Sequence, residues 1–107
     1  NVQRWDGSNK AVNSYLELFP NEVAVLNQLG MAYGISGDLN SAQKVFKRSF
    51  VANPNDVQVC INLSKTYGML GDYNNSLRIL EKALILEPGN AEASRAYQTT
   101  QQIVGGL

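Results

Sequence analysis

The sequence predicts an all-α solenoid of antiparallel helix pairs, about six helices forming a single domain over its 107 residues. Three observations predict it. Residues of matching type recur at a fixed offset of 34. Within each period, apolar residues follow helical spacing in two runs that a Gly-Asp pair separates. No alternating apolar–polar run of useful length supports a strand.

The period is carried by many positions. Pro20, Pro54 and Pro88 are each 34 apart, and Gly37-Asp38 recurs as Gly71-Asp72. The same shift takes Leu29 to Leu63, Tyr33 to Tyr67, Asn40 to Asn74 and Val45 to Ile79. It also takes Phe46 to Leu80, Ala52 to Leu86, and Val23 to Val57 and Ala91.

The elements follow in order. Residues 1–20 make a half repeat, a second helix at about 6–18 without its first; Trp5 takes the place of Tyr73 and Phe19-Pro20 that of Glu87-Pro88. Residues 21–54 form a full repeat. Pro20-Asn21-Glu22 is its start signal, a proline near the first turn, a capping Asn and an acid favoured by the helix dipole. Val23, Leu26, Leu29, Gly30 and Tyr33 then share one face. Gly37-Asp38 stops this helix and caps the next, which places Ala42, Val45, Phe46 and Ser49 on a face. Residues 55–88 repeat the plan, with Asn55 as the capping residue, then Val57, Cys60, Leu63, Ser64 and Tyr67, then Ser76, Ile79, Leu80 and Ala83. Residues 89–107 supply a C-terminal capping helix at about 91–104, rich in Gln98, Gln101 and Gln102 and ended by Gly105-Gly106.

These residues resemble the tetratricopeptide repeat (TPR) family. Leu29-Gly30-x-x-Tyr33, Gly37-Asp38, Ala42, Phe46 and Pro54 fall where that family places its signature. Leu63, Tyr67, Gly71-Asp72-Tyr73, Leu80, Ala83 and Pro88 do so one period later. Ser64 and Ser76 depart from the family's Gly and Ala, and Leu26 and Cys60 stand at its usual Trp position. The resemblance implies a right-handed superhelix with a concave inner face. Physically, Gly30, Ala42 and Ala83 suit the close approach of helix backbones, with Tyr33, Phe46 and Tyr67 filling the remaining space.

Composition excludes much chemistry. The chain has no His and a single Cys, so the commonest general base, a disulfide framework and a cysteine-rich zinc site are not expected. No Gly-rich phosphate loop or paired-carboxylate spacing appears, and neither catalysis nor a cofactor or metal is expected. Lys plus Arg equals Asp plus Glu, at 9 each, so no whole-chain field favours nucleic acid. Apolar runs such as Ala83-Leu84-Ile85-Leu86 stop at four residues, far short of the ~18–20 needed to span a bilayer.

Binding is the function that remains. The resemblance implies that first helices build the inner face, carrying Asn27, Gln28 and Met31, then Gln58, Ile61, Asn62, Lys65 and Met69, then Arg95. Ala24, Ile35, Glu92 and Thr99 complete it. Amide side chains both donate to and accept from a peptide backbone, and Met packs adaptably around an apolar side chain. The expected partner is therefore a protein, through a peptide segment held in the groove. The family's capture of a chaperone's C-terminal carboxylate by a clamp of Lys, Asn and Arg is not expected. Asn62 matches a clamp position, but Met31, Ala24, Glu92 and Ala96 occupy or adjoin those that need cations or Asn.

Elsewhere the expectations are plainer. Lys44, Lys47 and Arg48, continued by Arg78 and Lys82, read as solvated convex surface, and Cys60 as a small core residue. Trp5, Val12 and Tyr15 would pack on an upstream helix. They predict a piece of a longer array, or a chain that self-associates through this end. An accessory, substrate-presenting or oligomerising role within a larger enzyme or secretion assembly is the alternative function. Nothing in the sequence indicates a compartment.

Overall fold

A computed structural model describes residues 23–106. Five helices follow one another: α1 (Val23–Ser36), α2 (Leu39–Ala52), α3 (Val57–Met69), α4 (Tyr73–Leu86) and α5 (Ala91–Gly105). No strand occurs among the described residues. Each helix packs on its successor, and α3 also touches α5, so these two first helices meet. The helix predicted at about 6–18, with Trp5, Val12 and Tyr15, lies outside the described residues.

The joints within each repeat, residues 37–38 and 70–72, are built alike around a Gly-Asp pair. Gly37 and Gly71 adopt φ of 88° and 81°, the left-handed region open to glycine. Gly37 N–H donates to Gly34 O at 3.1 Å and Asp38 N–H to Tyr33 O at 2.9 Å. Gly71 and Asp72 donate to Gly68 and Tyr67 at the same distances. These paired bonds satisfy the last carbonyls of α1 and α3 as a Schellman motif. The same aspartates then cap the next helix, Asp38 accepting from Ser41 N–H at 3.2 Å and Asp72 from Asn75 N–H at 3.3 Å. Hydrogen bonds from the Ser41 side chain and backbone hold the Asp38 carboxyl below the usual carboxylate range.

The joints between repeats correct one sequence expectation. Asn55 does not cap α3. Asp56 does, accepting from Gln58 N–H at 3.0 Å and Val59 N–H at 3.3 Å. Pro54 and Asn55 instead belong to a turn closed by Asp56 N–H to Asn53 O at 3.2 Å, which delays the helix until Val57. Asn90 caps α5 at the equivalent place, accepting from Ala93 N–H at 2.9 Å.

The core runs along the helix crossings. Leu26 and Leu29 pack with Val25, Tyr33 and Val45, and Ala42, Phe46, Leu63 and Tyr67 form the next cluster. Cys60, Ile61, Leu80, Ala83 and Ala93 form a third, between α3, α4 and α5. A Cβ on Gly30 would stand 2.6 Å from the Phe46 ring, closer than real contacts allow, so the aromatic ring requires glycine there. The second repeat places Ser64 and Leu80 at these positions. Ser64 Oγ donates to Ile61 O, and Ser76 Oγ donates to Ser64 O, both at 2.8 Å. The two serines thus tie α4 to α3 by a hydrogen bond where the first repeat relies on a ring against a glycine.

Candidate binding groove

The first helices α1, α3 and α5 share one face of the solenoid. α1 carries no charged residue, α3 only Lys65, and α5 only Glu92 and Arg95. Lys65 Nζ pairs with Glu92 Oε2 at 2.6 Å, bridging neighbouring first helices. With Glu92 engaged by Lys65, Arg95 has no ion-pair partner among the described residues.

Two apolar pockets open between these helices. One, about 340 Å³, has Gly30, Met31, Gly34 and Ile35 on its α1 side and Asn62, Lys65, Thr66 and Met69 on its α3 side; Leu39 and Phe46 of α2 complete it. The other, about 520 Å³, lies between Ser64, Lys65, Gly68 and Met69 of α3 and six residues of α5, Glu92, Arg95, Ala96, Thr99, Thr100 and Ile103. Tyr73, Ser76 and Leu80 of α4 complete this one. Among the described residues seven large apolar side chains are exposed, and Met31, Ile35, Met69 and Ile103 rim these pockets. Such clustering marks a site, since exposed apolar residues scattered singly are ordinary.

The residues predicted for the inner face divide accordingly. Met31, Asn62, Lys65, Met69 and Arg95 line the pockets. Gln28 and Gln58 are exposed beside them, and Gln58 Nε2 donates to Asn62 Oδ1 at 3.1 Å. Asn27 is half-buried and accepts from Ser49 Oγ of α2 at 3.4 Å, so it braces the helix pair. Ile61 is a correction. It is 1% exposed and packed with Leu80, Ala83 and Ala93, because α4 and α5 together cover this flank of α3.

Sequence reasoning missed Leu39, Tyr73, Thr66, Ala96, Thr100 and Ile103. The first two begin second helices, outside the set that inner-face register selects. The others lie one helical step from predicted positions, and the 34-residue shift takes Asn62 to Ala96 and Met69 to Ile103. Gly34 and Gly68 keep the pockets open, for a Cβ on Gly34 would enter empty space.

The opposite side carries different chemistry. Lys44, Lys47 and Arg48 are exposed together with Val51, while Lys82 of α4 lies 5.5 Å from the Phe50 ring centroid of α2. Cys60 is fully buried, and burial pushes its thiol up from the ordinary range. Among the described residues no group of His, Cys, Asp and Glu could hold a metal ion, and no helix is long and apolar enough to cross a membrane.

Comparison with known proteins agrees with this architecture. The family model described as tetratricopeptide repeat matches residues 23–56 and 57–90. No curated protein sequence matches the chain. Among solved structures, MamA superposes with a TM-score of 0.86 at 24% identity, over 94% of this chain and 59% of its own. The first TPR of Spaghetti (RPAP3), bound to the HSP90 peptide SRMEEVD, superposes with 0.85 at 16% identity, over 96% and 82%. The Sgt2 TPR domain from Aspergillus fumigatus gives 0.84 at 18%, over 96% and 70%. At these identities the likeness is one of fold, and the chain spans less than two thirds of MamA's length.

Proposed function

Because the chain belongs to the tetratricopeptide repeat family, we propose that it is a non-catalytic interaction scaffold holding a peptide segment of a partner protein along α1, α3 and α5. One observation carries this reading: the exposed apolar side chains Met31, Ile35, Met69 and Ile103 gather around two pockets on that shared face. Amides at Gln28, Gln58 and Asn62 border them and supply both donors and acceptors for a peptide backbone. A chain of the same fold, RPAP3, is solved with an HSP90 peptide bound, which supports peptide capture as a use of this architecture. Capture of a C-terminal carboxylate is not part of the proposal. With Glu92 engaged by Lys65, Arg95 is the one cation on this face left without an ion pair among the described residues.

The test is selection of peptides from a random library on the immobilised chain, followed by titration of a selected peptide into the ¹⁵N-labelled protein. Amide signals of Asn62, Lys65 and Met69 should move. A response confined to Lys47, Arg48 and Lys82 would place binding on the second helices and end the groove reading.

A further inference from the structure

The two pockets are one design executed twice. Each of the ten residues lining the smaller pocket has its counterpart, 34 positions on, lining the larger. The copies differ where size matters. Phe46 becomes Leu80, Asn62 becomes Ala96 and Lys65 becomes Thr99, three reductions that together exceed the enlargements of Gly30 to Ser64 and Leu39 to Tyr73. The second pocket is the larger, about 520 Å³ against about 340 Å³.

Resting on the groove reading above, we propose that this face recognises an extended segment with two apolar residues three positions apart. The larger of them, up to an aromatic, enters the α3–α5 pocket with a carboxylate beside it, and the smaller enters the α1–α3 pocket. The interval follows from geometry. Each pocket lies between successive first helices and Lys65 and Met69 wall both, so the pockets are one helix spacing apart. Taking the spacing of first helices as the roughly 8–10 Å typical of packed helices, and an extended chain's advance of about 3.3 Å per residue, gives three residues. A helical ligand advances about 1.5 Å per residue and would need six or seven. Its backbone groups are already paired, which leaves Gln58 and Asn62 without a use. The carboxylate follows from charge. Lys65 and Glu92 neutralise each other between the pockets, α1 contributes no charge, and Arg95, at the rim of the larger pocket, has no ion pair among the described residues.

The experiment uses synthetic peptides, acetylated and amidated so that no terminal charge takes part, and labelled for fluorescence anisotropy. A Ser/Gly background carries one Val and one Phe at intervals of two, three, four or seven, in both orders, with Asp or Lys beside the Phe. Interval three with Asp should bind tightest, and replacing either apolar residue by Ala should weaken it by about tenfold. Ser64→Gly with Leu80→Phe restores the first pocket's Gly-Phe pair in the second repeat and should reduce the preference for Phe over Val there. The reverse exchange, Gly30→Ser with Phe46→Leu, should let the first pocket accept Phe, so the proposal stays testable if one pair fails to fold by circular dichroism. Binding through Asn62 and Lys65 without dependence on interval, an optimum at seven, or an unchanged size preference in both double variants would overturn this proposal alone. Failure of every peptide to bind, or signal changes confined to the second helices, would overturn the groove reading as well.

Discussion

At the crossing of its two helices the first repeat sets Gly30 beneath the ring of Phe46, whereas the second sets Ser64 beneath Leu80 and ties the helices through Ser76. The first solution is steric and the second polar. Their surroundings differ as well. α1 buries Leu26, Leu29 and Gly30, while α3 buries seven residues from Val59 to Tyr67 because α2, α4 and α5 all lean on it. Equal positions in the period are therefore unequal in energy. A signature records which residues make a helix pair, and the neighbours of that pair decide what each residue is worth.

Substitutions at matched positions separate the two repeats. Ile61 and Asn27 occupy the same place in the period, one in the core and one half-buried. Ile61→Ala should destabilise by ~2–5 kcal/mol in urea unfolding, whereas Asn27→Ala should cost under about 1 kcal/mol. Similar values for the two would show that α5 contributes little to covering α3.

Gly30→Leu tests the steric solution. Overpacking against Phe46 should cost ~1–3 kcal/mol. Adding Phe46→Leu should recover part of it, since residues in contact do not act additively. A full additive loss, measured as the change in urea midpoint at constant slope, would mean that the ring is not what excludes a side chain.

The caps come next in size. Asp56→Ala should lower stability by about 1 kcal/mol, and Asn55→Ala should stay within about 0.5 kcal/mol, read from thermal midpoints. The reverse order would restore the sequence expectation that Asn55 caps α3. Smallest of all is the bridge between α3 and α5. Both of its partners are about half exposed, at 47% and 48%, and Glu92→Gln should change stability by at most ~1 kcal/mol, falling further with salt. A larger loss would show that the pair, and not apolar burial, holds α5 in place.

The 34-residue period made the helix pairs, the Gly-Asp joints and the small residues at the crossings legible before any coordinates, because each is a local rule repeated. What a single helix cannot record is what covers it. Register alone places Ile61 on the inner face, and the packing of α4 and α5 on its flank explains its burial. Asn55 and Asp56 are both good capping residues, and the choice depends on where the Pro54 turn releases the chain. The pockets were half legible. Their α1 and α3 rims follow the period, whereas Leu39 and Tyr73 enter from the next helix only once the joints have folded.

The Gly-Asp joints carry a consequence for how such an array can change shape. Each joint commits its Gly-Asp pair at once, the glycine to terminate one helix and the aspartate to begin the next, and leaves little slack to absorb an insertion or a change of angle. The links at 53–56 and 87–90 are four residues long and closed by a single backbone turn. Curvature along the stack is therefore adjustable only there. Lengthening such a link would splay one repeat from the next and alter the separation between neighbouring pockets, while each hairpin stayed a rigid brick.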